Sequence, residues 1–177
     1  MRQLGVEFQI VPSSAREIHN EQLTARELCL LNAYRKARAV SKLFPDALVI
    51  GMDTLVSLGP KIFGKPANLA AAQEMLESLQ GQTHQVVTGV CLIQLRGHHQ
   101  KVFAEQTHVR FRSLTREAIR EYHQQVNPLD KAGAYAIQEN GDVIVERISG
   151  SYTNVVGLPL ERLKKELAEF GLAPVLG

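Results

Sequence analysis

Asp53 stands inside the apolar run Leu48-Val49-Ile50-Gly51-Met52-Asp53-Thr54-Leu55-Val56, and Lys65-Pro66 follows it. A run of that length and branching reads as a buried strand, where a lone carboxylate needs a metal, a proton or a cationic partner to offset its desolvation. Further acids and lysines fall in loops, at strand ends or beside a helix face: Glu17, Lys36, Lys65, Asp130 and Lys131. Carboxylates that hold a hard divalent ion, together with lysines that neutralise oxygens, are the groups phosphoryl chemistry uses. Each has a plainer reading as well. Asp53 could cap neighbouring amides, Lys36 could be a solvated helix charge, Lys65 a turn residue, and Gln138 an amide that satisfies a loop backbone.

Other chemistries find no support. The chain has no nucleophile elbow, P-loop, dinucleotide fingerprint or helical zinc motif, and its six histidines lack metal-ligand spacing. His98 and His99 are expected at an exposed hairpin tip. Cys29 and Cys91 suit reduced core thiols better than a disulfide framework. A formal net charge of +2 gives no argument for a nucleic-acid partner. No apolar run approaches the roughly 18 residues of a membrane span. The start Met1-Arg2-Gln3-Leu4-Gly5 lacks a signal peptide's apolar core, so the expected compartment is the cytoplasm.

The 177 residues, 45% hydrophobic, suit one compact domain over residues 1–177. Alternation over Val6 to Val11 predicts a half-buried strand ending at Pro12. Thr24-Ala25-Arg26-Glu27 has capping-box spacing and opens a helix to about Phe44, with Leu30, Ala33, Ala37, Val40 and Phe44 as its apolar face. Lys36 flanks that face. After the Asp53 strand, Asn68 caps a helix whose core face is Leu69, Ala72, Leu76 and Leu79. Gln85 to Arg96 and Lys101 to Arg112 predict a long antiparallel hairpin, and Thr115 to Val126 a helix. Asn127 to Tyr135 is a polar, glycine-containing loop, Val143 to Ile148 a strand, and Pro159 opens a last helix with Leu160, Leu163, Leu167 and Phe170 on one face. The order is α/β: a mixed sheet with flanking helices.

The segments Gly51-Met52-Asp53-Thr54, Gly64-Lys65-Pro66, Ser78-Leu79-Gln80-Gly81-Gln82-Thr83-His84, Pro128 to Gln138 and Gly150 to Leu160 resemble, in order and spacing, the Maf-like nucleoside triphosphate pyrophosphatases. The resemblance runs from about Leu4 to Phe170. It implies an inosine-triphosphatase-like (Maf) fold with a cleft, and hydrolysis of a nucleoside triphosphate between its α and β phosphates with a divalent metal, Mg2+ or Mn2+. By the same resemblance Asp53 is the proton acceptor, Thr54 shapes the base or phosphate pocket, Glu17 and Asp53 hold the metal, Lys36 and Lys65 stabilise phosphate oxygens, and Gln138 contacts the base. The Asp130 to Gln138 stretch looks like the dTTP and UTP branch. An amide can pair with the oxygen and N–H edge of thymine or uracil. A homodimer is compatible with the family. The alternative function is a catalytically impaired nucleotide-binding regulator of cell division, of the septum-inhibitor type.

Two departures from the family pattern stand out. Members normally begin with a strand and a Ser-x-Ser-Pro-Arg-Arg loop ahead of the segment matching Leu4 to Phe8, and the chain as given starts within the following helix. The expectation is weak activity and reduced stability for a chain without that loop. Arg16 also stands where the family usually has an acid before Glu17, and a cation there would repel a metal.

Overall fold

The computed structural model describes residues 6–171. Thr24 opens the first helix by the reciprocal pair its sequence announces. Its hydroxyl accepts the Glu27 N–H at 3.2 Å, and the Glu27 carboxylate accepts the Thr24 N–H at 2.8 Å. The elements then follow as α1 (Ala25–Ser41), β1 (Leu48–Leu58), β2 (Lys61–Phe63), α2 (Leu69–Leu79), β3 (Thr83–Gln94), β4 (His99–Phe111) and α3 (Arg116–Gln125). A 3-10 turn (Ala132–Ala134) leads to α4 (Gly141–Ile144), β5 (Val145–Ser149), α5 (Tyr152–Val155) and α6 (Leu160–Glu169). The strands form one five-stranded sheet in the order β2-β1-β3-β4-β5. β1 and β2 pair antiparallel with Val56 opposite Phe63, and β4 and β5 pair antiparallel with a register shift at Arg110/Phe111. The expected α/β architecture, a sheet with flanking helices, is present.

The chain divides into two compact units. The first comprises Met1–Asp53, Thr88–Glu105 and Gly157–Gly177, the second Thr54–Val87 and Gln106–Val156. In the first, strand alternation sorts β1 into two faces. Leu48, Ile50 and Met52 pack with Leu160, Leu163 and Leu167 of α6, whereas Val49 packs with Ala33 and Ala37 of α1. Val90 and Leu92 of β3 join the α6 cluster, and Cys91 and Ile93 join that of α1. A helix therefore covers each face.

Glycine sets how closely α1 lies on the strands. A Cβ on Gly51 would sit 2.4 Å from the Ala33 carbonyl oxygen and 2.7 Å from the Ala37 nitrogen. A Cβ on Gly89 would sit 2.4 Å from both the carbonyl carbon and the oxygen of Cys29. Those neighbours are helix backbone and cannot rotate away. Gly89→Ala is accordingly expected to destabilise by about 3 kcal/mol, the upper end for overpacking. A lowered urea midpoint at unchanged slope checks it, and a midpoint like that of the parent chain refutes it.

The second unit has its own core, in which Val56, Leu76, Phe111, Ile119, Tyr122 and Tyr135 are buried together. Two of its helices, α2 and α3, begin at polar caps. Asn68 accepts the Ala71 N–H at 2.9 Å, and Thr115 accepts the Ala118 N–H at 3.2 Å.

Four expectations are corrected. Leu69, read into the core face of its helix, lies at the first turn of α2 and is 60% exposed. Val6 to Val11 forms no strand, and Phe8 and Ile10 are 44% and 82% exposed. Alternation marks a strand only where another strand takes up its backbone groups, and none does so among the described residues. The predicted Val143 to Ile148 strand begins at Val145, because Asn140 turns the chain through a left-handed φ of 54° into the short α4. Phe44 lies beyond the end of α1 and is 40% exposed. The cysteines behave as expected: Cys29 and Cys91 are buried with no disulfide between them, and burial pushes the Cys91 thiol up to about 12. Among the described residues no helix is long and apolar enough to cross a membrane.

Candidate active site

Asp53 occupies the middle of β1, on the face that carries Val49 and Gly51 toward α1. Because α1 lies so close, side chains one helical turn apart reach it together. Lys36 Nζ donates to Asp53 Oδ1 at 2.6 Å, and Asn32 Nδ2 donates to Asp53 Oδ2 at 3.3 Å. The same ammonium lies 2.6 Å from Glu17 Oε1. Lys36 is thus the shared cation of two carboxylates, one 7% exposed and the other 46%.

Glu17 has no regular element to hold it, so side chains of α1 position its loop. Asn32 Oδ1 accepts the Ile18 N–H at 2.7 Å, and Asn32 Nδ2 donates to the Ile18 carbonyl at 3.2 Å. Ser13 Oγ donates to the Lys36 carbonyl and Arg35 Nε to the Arg16 carbonyl, both at 3.4 Å. Asn32 was not among the residues singled out from the sequence. A signal was available: an asparagine four residues before Lys36 and flanked by Leu31 and Ala33 shares the lysine's face of the helix.

The electrostatics follow from this packing. Burial pushes the Asp53 carboxyl above the usual aspartate range, the Glu17 charge adds to the rise, and the Lys36 ammonium and Asn32 amide only partly oppose it. Burial alone would lower the Lys36 ammonium, but its bonds to Asp53 and Glu17 outweigh burial and hold it above the ordinary lysine value. Three groups therefore share two negative charges and one positive, and the buried acid is easier to protonate than an ordinary aspartate.

The remaining candidates lie in the second unit. Lys65 follows β2 and is exposed, as is Gln138, while Thr54 is half-buried on β1 and alternates with Asp53 in facing. Asp130 and Lys131 pair with each other at 2.8 Å, and Lys131 stands 3.8 Å from Glu139. The backbone joins two of these segments, since the Gly133 N–H donates to the Gly64 carbonyl at 3.0 Å.

Glu17 and Asp53 pass a simple test for a hard divalent cation. Both are oxygen donors, and both approach one point that a cationic nitrogen occupies. Among the described residues no group of three or more metal-ligating side chains assembles. A small cation that keeps water and takes substrate oxygens needs only one or two protein carboxylates. Glu17 and Asp53 are the residues that would hold one.

Fold and site together define an α/β protein in which a carboxylate, a lysine and a second carboxylate meet on the first strand of a helix-covered sheet. The chain belongs to the Maf-like protein family, whose model matches residues 1–170. It is similar to a dTTP/UTP pyrophosphatase of Symbiobacterium thermophilum, 44% identical over 97% of this chain and 87% of the relative. A protein of the same name from Pelotomaculum thermopropionicum is 43% identical over 97% of this chain and 90% of its own. One from Bacillus anthracis is 42% identical over 95% and 87%.

Proposed function

We propose that this protein hydrolyses dTTP and UTP to the nucleoside monophosphate and pyrophosphate, with Asp53 as the general base. The observation that carries the reading is the buried Asp53 bonded to Lys36 at 2.6 Å, in a chain 44% identical to a protein named for that activity. Water attacking a phosphoryl group must give up a proton to a nearby acceptor. A carboxylate whose pKa is raised by burial accepts it better than an exposed one, provided it is ionised beforehand. Lys36 keeps it ionised, and the Asn32 amide bonded to Oδ2 orients it. Glu17 and Asp53 would hold Mg2+ or Mn2+, which when bound neutralises charge on the triphosphate. Lys65 adds positive charge for phosphate oxygens, Thr54 lines the nucleotide's surroundings, and Gln138 contacts the base. The proton leaves on Asp53, and pyrophosphate departs with the electrons of the broken α–β anhydride bond.

The test is chromatography of products after incubation with dTTP or UTP and Mg2+ or Mn2+. Monophosphate and pyrophosphate in equal amounts support the reading. Release of single phosphates overturns it, and nucleotide bound without turnover favours the division-regulator reading instead. The pH dependence is a second expected result. Without divalent metal, the Asp53 carboxyl carbon followed by NMR should titrate above the ordinary aspartate value of about 3.9, because burial raises it. Titration at or below that value would remove the burial effect that makes Asp53 the stronger proton acceptor.

A further inference from the structure

The segment that ends at Gln138 is tied at four consecutive residues. Gly133 donates its N–H to the Gly64 carbonyl at 3.0 Å, and the Ala134 carbonyl accepts from His123 Nε2 at 3.1 Å. The Tyr135 hydroxyl meets buried His84 Nε2 at 2.8 Å. At Ala136 the hold is double. The Tyr122 hydroxyl donates to its carbonyl at 2.9 Å and accepts its N–H at 3.0 Å. The path needs such ties, since Gly133 and Ala134 have φ of 72° and 63°, and alanine enters the left-handed region at a cost. Tyr122 itself is 2% exposed, on α3, and Gln138 is exposed.

Hydrogen bonding alone would not let Gln138 choose a pyrimidine. Thymine and uracil offer a carbonyl oxygen beside a ring N–H, and guanine offers the same pair. An amide, with one acceptor and two donor hydrogens, satisfies either. What separates them is reach: the guanine edge lies farther from the sugar, so an amide on a fixed backbone meets one ring size and not the other. We propose that Tyr122 is a positioning residue for base selection, its hydroxyl fixing Ala136 so that Gln138 meets a pyrimidine edge and excludes guanine. This rests on the reading of Gln138 as the base contact. Tyr122 touches no substrate in this role.

The test compares kcat/KM for dTTP and dGTP in the parent chain, Gln138→Ala and Tyr122→Phe. Gln138→Ala should lower kcat/KM for dTTP by about tenfold or more, as expected where a polar base contact is lost. Tyr122→Phe should shrink the dTTP:dGTP ratio by about tenfold, through a higher KM for dTTP with kcat within about twofold. A purely structural tyrosine would lower both nucleotides alike and leave the ratio unchanged. That result, with Gln138→Ala behaving as expected, overturns the role of Tyr122. Unchanged dTTP turnover in Gln138→Ala overturns the base-contact reading beneath it. Ala136 is half-buried, so water can reach the groups that Tyr122→Phe frees. Should that variant melt below the assay temperature, 4-aminophenylalanine at position 122 replaces it with the same two outcomes, because it keeps a donor but accepts poorly.

Discussion

Asp53→Asn is expected to reduce dTTP hydrolysis by about 10³-fold while leaving the folded protein as stable as the parent, or more so. The two halves have one cause. The Asp53 pKa is higher in the folded chain than in the unfolded one, and burial is the main reason. A folded-state pKa raised in this way makes its contribution to stability largest below the unfolded value and diminishes it as pH rises through the folded one. At neutral pH the ionised carboxylate therefore weakens the fold; the amide removes that charge, and its loss of one acceptor toward Asn32 Nδ2 is the smaller effect because that bond is long, at 3.3 Å. Lys36 keeps Glu17 as a partner in that variant. Thermal melts at pH 8 and pH 4 check the claim, the advantage of Asn over Asp shrinking toward the acid end. A tenth or more of parental activity would end the case for Asp53 as base. A melting point several degrees lower would leave the activity loss to unfolding.

Lys36→Met should cost both activity and stability. Removing the ammonium leaves Asp53, 7% exposed, facing Glu17 with no cation between them. Breaking one side of a fully buried pair costs about 3–5 kcal/mol, and the partial exposure of Lys36 brings the expected loss nearer to about 2 kcal/mol. The loss should depend on pH in a definite direction. Without the lysine, the Asp53 pKa rises further, so the variant is nearest to the parent in acid and falls away as pH rises. Urea melts at pH 5 and pH 8 measure this. Adding Asp53→Asn to Lys36→Met should restore most of the stability at pH 8 and none of the hydrolysis. Equal destabilisation at both pH values would mean that the lysine acts through its packing alone.

Much of this architecture is legible in the sequence. The capping box at Thr24, the Asn68 cap and the long hairpin of β3 and β4 appear where local chemistry puts them, because each depends on residues near in sequence. The Asp53 anomaly was legible too, as a charge no apolar strand tolerates unaided. Lys36 was ambiguous, since a helix lysine beside an apolar face has the same pattern whether it ends in water or on a carboxylate. Only the approach of α1 to β1 decides between them, and that approach depends on Gly51, distant in sequence. Asn32 and Tyr122 were missed for a related reason. Their partners, Ile18 and Asp53 in one case and Ala136 in the other, are loop or strand groups 14 or 21 residues away that periodicity does not address. The Val6 to Val11 segment failed in the opposite sense: its pattern was right for a strand, but pattern does not supply a neighbour.

The tight seating of α1 over Gly51 also bears on how random-mutagenesis data for this chain should be interpreted. An added methyl there must lift the helix that carries Asn32 and Lys36, and so lengthen the 2.6 Å Lys36–Asp53 contact. In a screen scored by turnover alone, Gly51 will therefore group with Asp53, the proposed base, although it has no side chain to react. Scoring abundance alongside turnover separates the two, since the added methyl presses on helix backbone as it does at Gly89, whereas Asp53→Asn keeps the fold. A spectroscopic probe of the Asp53 proton reports directly on the gap that the glycine sets.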